Sequence, residues 1–175
     1  MGGLLRVVGV LVILGSCRSI SAMVAGNFVE RPRQLRVLQL GLQILETEIS
    51  YANASLPEAL ETVARRVDPP VNGIFQEAGR NFLSGEGLAF GEAWDYALRK
   101  QAPLLALQKR DLEVLRGLGQ VIGLSNKEDQ GKHLALARHQ LQQEEQVSIE
   151  ERERNVRLWN YLGLAGGAAL VLLFY

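Results

Sequence analysis

The chain has 175 residues, 19 basic and 19 acidic, no formal net charge, and a single cysteine. That balance leaves no basic excess to hold a nucleic-acid backbone, and one thiol excludes a disulfide framework within the chain. Leu, Ala, Glu, Gln and Arg dominate, and β-branched runs are scarce beyond the N-terminal stretch, so the composition favours helices. Apart from Arg6 and Arg18, every Lys, Arg, Asp and Glu falls between Glu30 and Arg157. This layout describes a polar domain tethered to a bilayer at both ends.

The first apolar stretch runs from Leu4 to about Val29, with Arg6 as its N-terminal flank. It is expected to be a membrane anchor, residues 1–29. Arg18 is costly at a bilayer centre, by about 2.5–3.5 kcal/mol on insertion scales. Placed off-centre, its side chain reaches the interface. A second reading takes Leu14-Gly-Ser-Cys17 as a lipoprotein signal box. Cleavage before Cys17 then leaves a secreted, lipid-anchored domain. The basic residues favour the uncleaved anchor. Arg31, Arg33 and Arg36 follow the first span, and Arg152, Arg154 and Arg157 precede the second. Basic residues near span ends mark the cytoplasmic face, so both spans place the middle domain, residues 30–157, in the cytosol.

Pro32 suits the first turn of a helix. Leu35, Leu38, Leu42, Leu45 and Ile49 then follow 3-4-3-4 spacing, which predicts a long amphipathic helix. Ser55-Leu-Pro-Glu58 reads as a capping box opening a second helix, with Ala59, Leu60, Val63, Ala64 and Val67 on one face. Asp68-Pro-Pro70 stops it. Ile74, Phe75, Ala78 and Phe82 mark a third helix, closed by Gly85-Glu-Gly87. Trp94, Ala97 and Leu98 belong to a fourth, ended before Pro103. A fifth is expected over Leu104 to Leu124, with Leu112, Leu115, Leu118 and Ile122 inward.

Ser125-Asn-Lys-Glu128 reads as a second capping box that starts the last helix. After Leu134, Ala137 and Leu141 that helix turns almost wholly polar, with no Gly or Pro before Leu158. Residues 142–157 are therefore expected to form a stalk of roughly 24 Å, either solvated with i,i+4 ion pairs or engaging a partner by charge. Residues 158–175 carry no charge and are long enough to span a bilayer. Trp159, Tyr161 and Tyr175 sit at the expected interface belts, and the C-terminus is expected on the far side. Gly163 and Gly167 form a small-xxx-small face, a candidate for helix pairing as well as ordinary bilayer-compatible composition. The expected fold is thus all-α: a six-helix bundle between an N-terminal and a C-terminal transmembrane helix, its last helix continuing as a charged stalk.

Catalytic constellations are not visible. Gly85-x-Gly87-x-x-x-Gly91 is not a dinucleotide fingerprint, and no GxxxxGK[ST] occurs. His133 and His139 are six apart and fall on different faces of a helix, so they read as surface or capping residues. Glu46 with Glu48, and Glu144 with Glu145, do not converge on one substrate. No cofactor, metal, small-molecule substrate or nucleic acid is expected.

Several motifs carry a resemblance. They are Glu30-Arg-Pro-Arg-Gln34, Leu45-Glu-x-Glu-Ile49-x-Tyr51 and Leu56-Pro-Glu-Ala59. Further along come Gly119-x-x-Ile-Gly-Leu124, Gln130-x-Lys-His133, Glu144-Glu145 and Trp159-x-Tyr-Leu-Gly163. In this order the chain resembles the stage III sporulation protein AB family of endospore-forming bacteria. Cys17 and Arg18 depart from the family's first span. The resemblance implies a mother-cell membrane protein whose cytosolic helical domain is similar to those of the inner-membrane platform proteins of type II secretion and type IV pilus systems. It implies a place in the trans-envelope complex linking mother cell and forespore. It also implies a secretion-type ATPase, stage III sporulation protein AA, as partner, alongside other stage III sporulation proteins.

The expected function is that of a structural adaptor that docks the ATPase and passes motion to the membrane. Arg31, Arg33, Arg36, Lys132, His133, Glu144 and Glu145 are its candidate membrane-proximal or partner contacts. For the arginines the plainer reading is topology and lipid contact. The alternatives are a membrane-bound enzyme whose site forms only in three dimensions and the secreted lipoprotein.

Overall fold

A computed structural model describes the backbone of residues 29–52, 54–84, 89–124 and 126–174. Side chains are described up to residue 155, except Lys127, and beyond it for Arg157, Leu158, Tyr161 and Ala165. Helix α1 covers 29–50. It is followed by α2 (Leu56–Arg66), α3 (Asn72–Leu83), α4 (Phe90–Gln101), a 3-10 turn (Ala102–Leu104), α5 (Lys109–Ile122) and α6 (Lys127–Phe174). No strand occurs among the described residues.

Residues Arg31–Val147 form one compact unit. Its core is what the α1 periodicity dictates, because Leu35, Leu38, Leu42, Leu45 and Ile49 are all buried. Against them pack Leu60 and Val63 of α2, Phe75 of α3, Trp94 and Leu98 of α4, Leu115 and Ile122 of α5, and Leu134 and Leu141 of α6. The middle helices pack in sequence, α2 on α3, α3 on α4 and α4 on α5, as short connections require.

Aromatic rings hold the centre. Phe75 and Trp94 meet edge-to-face at 5.7 Å, and Phe82 and Phe90 do the same. The buried indole Nε1–H of Trp94 donates to the Leu115 carbonyl at 2.7 Å, which removes the cost of burying that donor. α5 comes this close because Gly119 faces the ring; a Cβ there would lie 2.2 Å from Trp94 Cδ1.

The local start signals behave as their chemistry demands, with two shifts. At α2, the Ser55 N–H and Oγ–H both donate to Glu58 Oε2, at 3.0 and 2.7 Å. Those bonds stabilise the anion and hold the Glu58 carboxyl below its ordinary range, the Ser55 hydroxyl being the larger cause. The fifth helix begins later than its leucines suggest. Pro103 sits in the 3-10 turn, Leu105 is extended, and Gln108 caps α5 through Asp111. At α6 the capping oxygen belongs to Asn126, whose Oδ1 accepts from the Asp129 N–H at 2.9 Å. Ser125 lies outside the described residues, as do the Gly85–Gly87 segment and the whole N-terminal stretch with Arg6, Cys17 and Arg18.

Helix α6 is 48 residues long; its part up to Val147 belongs to the bundle, and Ser148 onward belongs to a second unit. Gly163 and Gly167 lie in that later part, one turn apart. Among the described residues no helix is long and apolar enough to cross a membrane. The two expected spans fall on residues 1–28 and on the part of α6 where most side chains are not described.

Candidate functional site: a buried charge cluster joining three helices

The bundle interior holds charges that composition does not announce. Arg31, one turn ahead of Leu35 on the apolar seam of α1, is 4 % exposed. Its guanidinium forks onto Asp111 of α5, Nε to Oδ2 and Nη2 to Oδ1, both at 2.9 Å. The same Nη2 donates to Glu144 Oε2 of α6 at 3.0 Å. Asp111 is wholly buried. Its Oδ2 also accepts the Gln108 N–H at 2.8 Å, so one carboxylate caps α5 and anchors α1. Its place in the first turn of α5 is favoured by the helix dipole.

Around this triad lies a second layer. Glu145, buried, takes the Arg36 Nε–H on Oε1 and the Gln39 Nε2–H on Oε2, the latter at 2.8 Å. Buried Gln34 accepts the Ala106 N–H at 2.8 Å, which pins the extended segment before α5 to α1. Among the described residues every buried side-chain polar atom has a partner. The cluster is therefore fully satisfied, the condition under which buried charge is tolerated.

These positions revise two expectations. Arg31, expected at the membrane-facing surface, lies in the interior, held between two carboxylates. Glu144 and Glu145, expected on a polar stalk, are bundle residues that face the arginines of α1; the stalk does not begin at Gln142. The remaining candidates are spread out. Arg33 and Arg36 are exposed on α1. Lys132 is exposed and bonds Asp129 and Glu128, each at 3.1 Å, and these carboxylates, Asp129 foremost, raise its pKa. His133 is half-buried on another part of α6. Asp111, the residue on which the cluster turns, is absent from the sequence-derived set. Its signal was there: it sits four residues before Leu115 on the buried face of α5.

A groove of about 910 Å3 opens beside Phe82, Phe90, Ile122 and Leu124. Of the charges that line it, Asp95 pairs with Arg99 and with Arg116, and Glu92 accepts the Ala89 N–H. No group of metal-ligating side chains occurs among the described residues. Glu58, Lys100 and Lys132, whose pKa values are displaced, lie on the exposed surface.

Comparison with known proteins gives one consistent result. The family model for stage III sporulation protein AB matches residues 6–175. A stage III sporulation protein AB from Bacillus subtilis (strain 168) is 31 % identical over 170 residues, covering 97 % of this chain and 99 % of that protein. A solved structure of a stage III sporulation protein AB superimposes with a TM-score of 0.66 at 32 % identity, covering 71 % of this chain and 98 % of the other.

Proposed function

The chain belongs to the stage III sporulation protein AB family, and from that premise we propose that it is a membrane-anchored structural adaptor. In this reading it works within a secretion-like, trans-envelope complex of endospore formation. The bundle docks a secretion-type ATPase, stage III sporulation protein AA. Apolar stretches at both ends hold the chain in the mother-cell membrane that faces the forespore, and α6 conveys motion from bundle to bilayer. Other stage III sporulation proteins complete the assembly.

The observation that carries this reading is the charge cluster. Arg31 and Glu144 stand at opposite ends of the compact unit's sequence and are joined directly, while Asp111 holds Arg31 from α5. An adaptor loaded at its bundle needs its two chain exits fixed to each other, or the load is lost in sliding. The sequence supports the membrane part, since charge disappears on both sides of the bundle.

The test is rotational. Inserting two residues after Arg152 leaves the cluster intact and turns the rest of α6 by about 200°. Membrane-bound protein should accumulate normally, and heat-resistant spore yield should fall sharply. Wild-type spore yield from this insertion removes the mechanical role.

A further inference from the structure

We propose that the bundle part of α6 is a releasable strap. It lifts off as a unit while α1 to α5 stay packed, and the carboxylates of Glu144 and Glu145 are its catch. The proposal concerns the bundle alone and needs neither the membrane nor the ATPase of the reading above.

The two sides of the charge cluster differ in what their separation would strand. The Arg31–Asp111 fork ties α1 to α5 with both side chains buried. Parting those helices leaves a guanidinium and a carboxylate in a desolvated site, which is strongly destabilising. It also removes the cap from the Gln108 N–H. Parting α6 from α1 strands no charge. Arg31 keeps its two bonds to Asp111. Glu144, whose side chain is already 21 % exposed, and Glu145 move into water with their helix. Arg36, which Glu145 holds, is 64 % exposed where it stands. A further ion pair across this boundary, Arg138 with Glu46 at 3.4 Å, is partly open to water on both sides.

The apolar grip of α6 is small as well. α1 buries Leu35, Leu38, Leu42, Leu45 and Ile49, whereas α6 buries Leu134, Ala137 and Leu141. Local openings start where buried apolar contacts are few and polar contacts are solvated. Partly exposed ion pairs are also the ones that salt weakens. The compact units divide within α6 between Val147 and Ser148. A load arriving along the helix from Ser148 therefore meets Glu145 and Glu144 before it meets Leu141. The pivot is the short connection between Ile122 of α5 and Lys127 of α6. When closed, the catch fixes the strap; when it opens, the rest of the bundle keeps its core.

The experiment labels buried thiols in the full chain held in detergent, with Cys17→Ala removing the native thiol. Ala137→Cys puts a thiol under the strap, and Ala97→Cys puts one in α4; both alanines are buried. Labelling by a maleimide, taken relative to a free cysteine peptide, reads the opening that exposes each thiol. Position 137 should label at least about tenfold faster than position 97, because it needs only the local opening. Raising NaCl from about 0.05 to 1 M should speed position 137 about tenfold and position 97 less than about twofold, as the ion pairs of the strap are screened. Glu144→Gln with Glu145→Gln should give the fast rate at position 137 already at low salt. Labelling of the two positions within twofold of each other at both salt concentrations overturns the proposal, because α6 then opens only with the whole bundle. An undiminished salt response in the double glutamine chain overturns the catch and the proposal with it.

Discussion

Removing Asp111 tests whether the buried cluster is an interior structural element or an incidental surface pairing. Asp111→Ala deletes the acceptor of two Arg31 hydrogen bonds and of the Gln108 N–H cap. Arg31 loses its bidentate partner, and it stays in a site that is 4 % exposed. Breaking a buried pair from one side costs about 3–5 kcal/mol. That is a large share of the roughly 5–15 kcal/mol that stabilises a domain of this size. With a urea m-value near 2 kcal/mol/M, the unfolding midpoint should fall by about 1.5–2.5 M, followed by circular dichroism on residues 30–157. Replacing both partners with apolar residues, Arg31→Met with Asp111→Leu, should recover most of the loss, because neither charge is then left unpaired. A single variant within about 1 kcal/mol of wild type, beneath the cost of a stranded buried charge, refutes the reasoning. So does a double variant as unstable as the single.

Two further outcomes follow from the same geometry. Gly119→Ala should destabilise the bundle by about 1–3 kcal/mol, because its Cβ would press on the Trp94 ring; a lower Tm with altered tryptophan fluorescence checks it. The Glu58 carboxyl, held low by Ser55, has a folded pKa beneath its unfolded one. Its stabilisation is therefore present above the unfolded carboxylate pKa and is lost as pH falls through the folded value. Ser55→Ala should lower Tm at pH near 7 and narrow the gap between neutral and acid Tm, read by thermal scans between about pH 7 and pH 3.

What the sequence reveals here follows the range of the interactions. The α1 seam and the Ser55–Glu58 start of α2 are local patterns, and both stand in the structure. The start of α5 misleads because Leu104, Leu105 and Leu107 look like helix interior. Pro103 instead directs a 3-10 turn, and the capping pair Gln108 and Asp111 sets the true beginning. Glu144 and Glu145 read as solvated because their neighbours Gln142, Gln143 and Gln146 are polar. Their partners, Arg31 and Arg36, lie 113 and 109 residues away, beyond any helical periodicity. Charges standing on an otherwise apolar seam, Arg31 before Leu35 and Asp111 before Leu115, are the pattern that marks such pairs in advance.

Why the bundle keeps charges there, when an apolar replacement is expected to be nearly as stable, is a matter of register. Leu35, Leu38 and Leu42 of α1 and Leu134, Ala137 and Leu141 of α6 are all buried aliphatics. Aliphatic surfaces of this kind tolerate many packings of similar energy. A slip of α6 by one turn, about 5.4 Å, exchanges Leu141 with Ala137, one aliphatic for another. The same slip carries Glu144 away from Arg31 and Glu145 away from Arg36 and Gln39. It puts Leu141 or Ser148 where a carboxylate stood, so Arg31 keeps its fork onto Asp111 but loses the Glu144 acceptor. The loss of these charge-assisted hydrogen bonds then separates one register from its neighbours where the aliphatic core cannot. The cluster thus discriminates between alignments of α1 and α6 more than it adds to stability. In the adaptor role proposed above, where the last helix carries load, that property has most use.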